Sequence, residues 1–254
     1  MPKSHTRNSK QKPLTDTIYE QILEQIFSGK RKPGEPVSEL ALTKQLGVSR
    51  TPVHNAILQL TKDGLIKHEH NRRPVVRGLT PPDIHEIFEM RILLEGETAR
   101  RASTYISNEQ LESLVVTHAA VIEPNENRDE WLRLWADYDD MFHRTISKAS
   151  QNHRLADDVS RYRLLHQGLK LHSLTEEDAP LEILRTAINE HEAIIDSLRM
   201  RDADGARDAM RVHLRRWQRF FAKLLKKKGS KPVQKPNKVS LDKNTLHPFG
   251  FVEE

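Results

Sequence analysis

The sequence predicts a mainly α-helical protein in two parts: three helices closed by a small β-hairpin, then an antiparallel all-α bundle. Three observations predict it. Apolar residues recur at the spacing of one helical face from about residue 14, and again from about residue 82 to 226. Between these runs, residues 65–77 read as two short strands on either side of a polar turn. The charge also changes sign at the junction: residues 1–79 hold 14 Lys and Arg against 7 Asp and Glu, residues 80–225 hold 20 against 26, and residues 226–254 hold 7 against 3. A basic first part joined to an acidic second part points to a polyanion partner for the first alone. Charge by itself does not separate nucleic acid from an unevenly charged surface.

Each element has a local cause. Residues 1–13 carry four basic residues and no acids and are expected to form a flexible arm. A first helix starts near Leu14 with Ile18, Ile22, Leu23 and Ile26 on one face, and ends at Gly29 and the Lys32-Pro33-Gly34 turn. Ser38 is placed to cap a short second helix whose apolar positions are Leu40, Leu42 and Leu46, closed by Gly47. Ser49 is placed to cap a third, with Val53, Ala56, Ile57 and Leu60 inward, ending at Asp63-Gly64. The hairpin follows: strands at 65–69 and 74–77 with a turn over His70 to Arg73. Three helices and then a hairpin is the order of a winged helix-turn-helix, assigned to residues 14–79. Thr80-Pro81-Pro82-Asp83 starts the next helix, with Thr80 as cap, Pro81 at the first helical position and Asp83 completing a capping box. The second domain, residues 80–226, is expected to hold helices near 82–104, 108–122, 128–149, 153–171, 180–200 and 202–226. Residues 227–254, rich in Lys with Gly and Pro, are expected to be a disordered basic tail.

Composition narrows the function class. The chain has 254 residues, 36% hydrophobic and 30% charged, enough for two ordinary domains with buried cores. No apolar run is long enough to span a bilayer, and no apolar segment follows the basic start, so neither a membrane protein nor a secretory signal is expected. There is no Cys, which excludes disulfides and fits a cytoplasmic location.

A helix that reads the major groove must present donors outward while its other face packs on the domain. In the third helix Arg50, Thr51, His54 and Asn55 stand away from the Val53, Ile57 and Leu60 stripe. Taken alone, they also fit an ordinary capped helix with an exposed polar face. The strings Pro33-Gly34-Glu35-Pro36-Val37-Ser38-Glu39, Leu46-Gly47-Val48-Ser49-Arg50-Thr51-Pro52-Val53 and Asp63-Gly64-Leu65-Ile66 closely resemble the GntR family of bacterial regulators over residues 14–79. The resemblance implies that Arg50 and Thr51 contact DNA and that the wing, where His70 stands, reaches the minor groove; Arg72 and Arg73 replace small wing residues and are expected to add phosphate contacts. It departs in two places. The family usually carries Arg-Glu where His54 and Asn55 stand, and that Arg typically reads a guanine, so the preferred half-site is expected to differ. The wing turn usually has Gly, and Asn71, which tolerates positive φ, is the nearest match.

In the second domain Asp139 and His143 lie four apart on one helix face, His191 lies within the Ile188, Ile194, Ile195 and Leu198 stripe, and His213 lies beside Met210, Leu214 and Trp217. A buried polar group without a partner costs about 1–3 kcal/mol. A shared divalent metal would satisfy all four, and imidazole with carboxylate suits Zn, Ni or Mn. Separate, individually satisfied core histidines are the simpler reading of any one of them. Arg91-x-x-x-Glu95, Asp139-x-x-Phe142-His143, Gln151-Asn152, Glu190-His191 and Met210-x-x-His213 resemble the FCD ligand-binding domain of the FadR subfamily, over about residues 82–222. Its metal-binding members use Asp, His, His, His in this order. The resemblance thus implies metal ligation by Asp139, His143, His191 and His213, with Arg91 holding the carboxylate of a small organic-acid effector. Arg91 paired with Glu95 one turn on, worth a few tenths of a kcal/mol, is the plainer alternative.

The function expected is that of a homodimeric transcriptional repressor that binds double-stranded operator DNA under control of a small carboxylate. A metal-dependent enzyme and a dedicated metal sensor are the alternatives. Against the enzyme stand the lack of a recognisable nucleophile motif or placed general base, and the attachment to a DNA-reading domain.

Overall fold

A computed structural model describes residues 13–69, 72–123, 127–173 and 181–228. The arm over 1–12, His70 and Asn71 in the wing turn, the loop around Pro124, the 175–180 loop and the tail from 229 lie outside the described residues. The chain divides into two compact units between Gly78 and Leu79.

The first unit holds α1 (Leu14–Phe27), α2 (Glu39–Leu46), α3 (Arg50–Lys62), β1 (Ile66–Lys67) and β2 (Val75–Val76). Ile18, Tyr19, Ile22, Leu23, Ile26 and Phe27 bury one face of α1 against Val53, Ala56, Ile57 and Leu60 of α3. The Tyr19 hydroxyl donates to Asp63 Oδ2 at 2.9 Å, tying α1 to the end of α3. Of the three leucines expected inside from α2, Leu42 is buried, Leu46 is partly buried and Leu40 is half exposed. Leu40 and Leu42 are two residues apart, about 200° around a helix, so a one-faced helix can bury only one of them.

Ser38 caps α2 as expected, its hydroxyl accepting from Ala41 N at 3.3 Å. Ser49 holds the extended N-cap backbone of α3, but its side chain makes no cap bond. Gly47 closes α2 in the left-handed region, at φ 65° and ψ 31°, and nothing lies within 4 Å of a Cβ built there. Gly47→Ala therefore meets no steric neighbour and bears only the backbone cost, about 1–2 kcal/mol. Denaturant unfolding should show a lower midpoint at unchanged slope, and an unmoved midpoint would contradict this.

The hairpin is antiparallel, Ile66 against Val76 and Lys67 against Val75, and each strand is only two residues long. The expected strands were longer, but Pro74 has no N–H to extend the ladder. The segment between α1 and α2, expected only to turn, instead flanks β2: Val37 N donates to Pro74 O and Val76 N to Glu35 O.

The second unit holds α4 (Pro81–Tyr105), α5 (Asn108–Ala119), α6 (Arg128–Ala149), α7 (His153–Ser173), α8 (Leu181–Arg199) and α9 (Ala203–Lys228). Thr80 and Asp83 form the capping box expected, and Ser107 with Gln110 forms a second at α5. α4 packs along α9 and also against α6 and α7, while α8 lies between α9 and α5. Phe88, Trp131, Phe142, Trp217 and Phe221 are fully buried at the centre. Helices α4, α5, α6, α8 and α9 each contribute apolar residues to one continuous core, so polar residues among them need partners. No helix among the described residues is long and apolar enough to cross a membrane.

Candidate metal centre and nucleic-acid interface

The second unit buries Asp139 and His143 from α6, His191 from α8 and His213 from α9, and offers one ligand atom from each, all within 4.8 Å of one another. Asp139 Oδ1 lies 3.7 Å from His143 Nε2 and 3.8 Å from His191 Nε2, and the Nε2 atoms of His191 and His213 are 3.3 Å apart. Two ligands each about 2.0–2.1 Å from a tetrahedral zinc sit about 3.3 Å apart; one pair here has that spacing and the others are somewhat wider, within 4.8 Å, so a small inward shift would let all four share an ion. His143 Nε2 is buried without a hydrogen-bond partner, which a cation would supply. The residues fit a divalent metal.

What faces away from the cluster orients what faces in. Glu95 Oε2 lies 2.5 Å from His143 Nδ1, and Glu190 Oε2 lies 3.1 Å from His213 Nδ1. A carboxylate only accepts, so His213 carries its proton on Nδ1 and turns a lone pair on Nε2 inward; at His143 the close Glu95 carboxylate favours the same tautomer through an ion-pair contact that lacks hydrogen-bond geometry. The Tyr138 hydroxyl, 3.2 Å from His191 Nδ1, can donate or accept and so serves either tautomer. Arg163 of α7 donates through Nη2 to the Asp139 carbonyl at 3.1 Å and to Asp139 Oδ2 at 3.3 Å, leaving Oδ1 toward the histidines. His191 also stacks on Phe142, with ring centroids 4.1 Å apart.

Electrostatics favours ligation. Burial, with Arg163 nearby, pushes His143 down to about 4, and burial with the neighbouring His213 and His143 holds His191 well below the ordinary imidazole range. Neutral imidazole is the form that binds metals. Burial alone would raise the Glu95 carboxyl, but Arg91, His143 and Arg163 hold it well below the usual carboxylate range. Arg163 is likewise buried, yet Asp139, Asp140 and Glu95 hold its charge.

Arg91 donates from Nε to Glu95 Oε1 at 2.6 Å, and its Nη1 has no partner. The pair read from the spacing is present, but both side chains are 1–2% exposed, so the weak energetics of an exposed helix pair do not apply. Arg91, Glu95 and the buried Asp/His cluster form one network through His143. Sequence reasoning missed the orienting roles of Glu95, Tyr138, Arg163 and Glu190. The adjacency of Tyr138 to Asp139 and of Glu190 to His191 was the available signal for two of them. For Arg163, 24 residues from Asp139, there was none.

In the first unit Arg50, Thr51, His54 and Asn55 are exposed at the start of α3, opposite its buried face. His54 Nδ1 lies 2.7 Å from Glu39 Oε1 of α2, a partner not foreseen. Arg72 and Arg73 are exposed beside β2, and Arg72 pairs with Glu69 at 3.0 Å. His70 lies outside the described residues.

The two units match two family models: "Bacterial regulatory proteins, gntR family" over residues 14–76 and "FCD domain" over residues 86–216, the latter half of the chain. The chain belongs to the GntR family, in its FadR-like, FCD-containing subfamily. This regulator is 34% identical over 131 residues to an HTH-type transcriptional regulator from the TAR-I ttuE-ttuC' intergenic region of Agrobacterium vitis, covering 50% of its own length and 75% of the relative. It is 26% identical over 205 residues to the HTH-type transcriptional repressor RspR of Escherichia coli strain K12, covering 80% and 86% of the two chains. Among solved structures, E. coli McbR/YncC shares the fold with a TM-score of 0.68 at 22% identity, over 85% of this chain and 99% of that one. The families and relatives are transcriptional regulators, not enzymes, and GntR regulators bind DNA operators.

Proposed function

We propose that this regulator is a cytoplasmic homodimeric repressor whose hold on its operator is controlled by a small carboxylate bound at a divalent metal centre in the second unit. The observation that carries the reading is the buried Asp139, His143, His191 and His213 cluster, with a second partner orienting each ligand. When bound, the metal supplies a Lewis-acidic point for a carboxylate oxygen. Arg91 supports the effector part: its unpartnered Nη1 is a donor suited to a carboxylate, beside the same network. RspR, a relative named as a repressor, supports the sign of regulation. Zn, Ni and Mn suit the donor set.

Operator affinity measured with and without metal, and with and without a panel of small organic acids, tests the proposal. An acid-dependent change that requires metal is expected, because an effector must favour one state of the dimer to shift anything. A response to metal alone would identify a metal sensor instead. No response to either would defeat the proposal.

The exposed start of α3 supports reading of the operator by Arg50, Thr51, His54 and Asn55, with Arg72 and Arg73 on the adjoining duplex backbone. Arg50→Ala should weaken specific binding by about 1–3 kcal/mol at fixed salt if the guanidinium forks onto a guanine. Unchanged affinity would remove Arg50 from the interface. A twofold dimer requires a near-palindromic footprint, and a footprint without a dyad would exclude it.

A further inference from the structure

One residue of the reading helix presents a different chemistry from its neighbours. His54 stands four residues after Arg50 on α3, and its Nδ1 is 2.7 Å from Oε1 of Glu39, the first residue of α2. A carboxylate cannot donate, so the shared proton sits on Nδ1. In the neutral ring this leaves Nε2 as an acceptor, and the second oxygen of Glu39 is an acceptor as well. Both side chains remain open to solvent, at 48% and 35% exposure.

The major groove distinguishes bases by the same property. Cytosine N4 and adenine N6 present an amine donor there, whereas guanine N7 and O6 and thymine O4 only accept. We infer that His54, oriented by Glu39, is a specificity-determining residue that selects a base carrying a major-groove amine, cytosine or adenine, and disfavours guanine. The inference rests on the DNA reading proposed above and names what that surface reads. Arg50 is donor-only and matches guanine, so one turn of α3 carries two opposite preferences.

The test is selection of full-length protein on randomised duplexes at pH 8, followed by affinities for all four bases at each half-site position at fixed salt. One position in each half-site should favour cytosine or adenine over guanine by about 3–10-fold, the worth of one hydrogen bond, and the enriched base separates the two amines. Glu39→Gln supplies an amide that can donate to Nδ1 and release the tautomer, so that preference should shrink below about twofold. His54→Arg should move it to guanine. If the pair only staples α2 to α3, Glu39→Gln will lower affinity for every sequence equally and leave the ranking intact, which overturns the inference. Guanine or thymine favoured by the native protein at the position that His54→Arg alters overturns it too, with the DNA-reading function intact. A selection that enriches no dyad-related motif overturns both.

Discussion

Glu95→Ala is expected to destabilise the second unit by about 3–5 kcal/mol, the usual loss when one member of a buried ion pair is removed. The carboxylate sits 2.6 Å from Arg91 Nε, 2.5 Å from His143 Nδ1 and 4.0 Å from Arg163 Nη1, and its side chain is 2% exposed. Its removal leaves two buried guanidinium groups near each other with the charge between them gone. Glu97, two residues on in α4, provides the contrast. Its two bonds to Arg100, both 2.8 Å, are only slightly longer than the Glu95 contacts, but the side chains are 38% and 39% exposed. Solvent screens such a pair, so Glu97→Ala should leave the unfolding midpoint almost unmoved. Melts of both variants with a chelator present separate burial from bond length as the cause. Equal shifts in the two would show that the buried network contributes no more than a surface pair.

His191→Ala is expected to weaken metal binding by about 100-fold or more, whereas Glu190→Gln, which alters only the partner of His213, should weaken it by about 10–100-fold. The difference follows from position: His191 Nε2 faces the shared centre, and Glu190 acts through His213 Nδ1. Elemental analysis of the native protein should find one divalent ion per chain, and competition against a chelator gives the ratios. The first unit should keep its fold in both variants, since neither residue belongs to it. A native protein that takes up no ion on loading, or His191→Ala with full occupancy, would defeat the assignment.

Local interactions were the legible part of this molecule. The Thr80 to Asp83 box, the Ser38 cap and the bounds of α6 depend on residues a few positions apart, and sequence displays those directly. Asp139 and His143 share a face for the same reason. That His191 and His213 face the same point as these two is a fact of packing between α6, α8 and α9, and only the family resemblance suggested it beforehand. Arg163 and the Glu39 to His54 pair were not legible, because partners 24 and 15 residues apart on different helices leave no periodic trace. Arg91 and Glu95 were seen as a pair and misjudged in energy, since spacing gives contact but not depth.

The charges around the buried histidines also constrain what can arrive with a cation. Arg91, Arg163 and Arg216 bring three positive charges, and Glu95, Asp139, Glu190 and the partly exposed Asp140 bring four negative ones, so these seven groups sum to −1. With the histidines neutral, a divalent ion turns that sum to +1 in a region where charge is poorly screened. A single carboxylate returns it to zero. On the reading proposed above, the ion and the acid are therefore coupled by electroneutrality: each lowers the electrostatic cost of the other, and by thermodynamic reciprocity each tightens the other's binding by the same factor. Such a site measures the product of two concentrations rather than either alone.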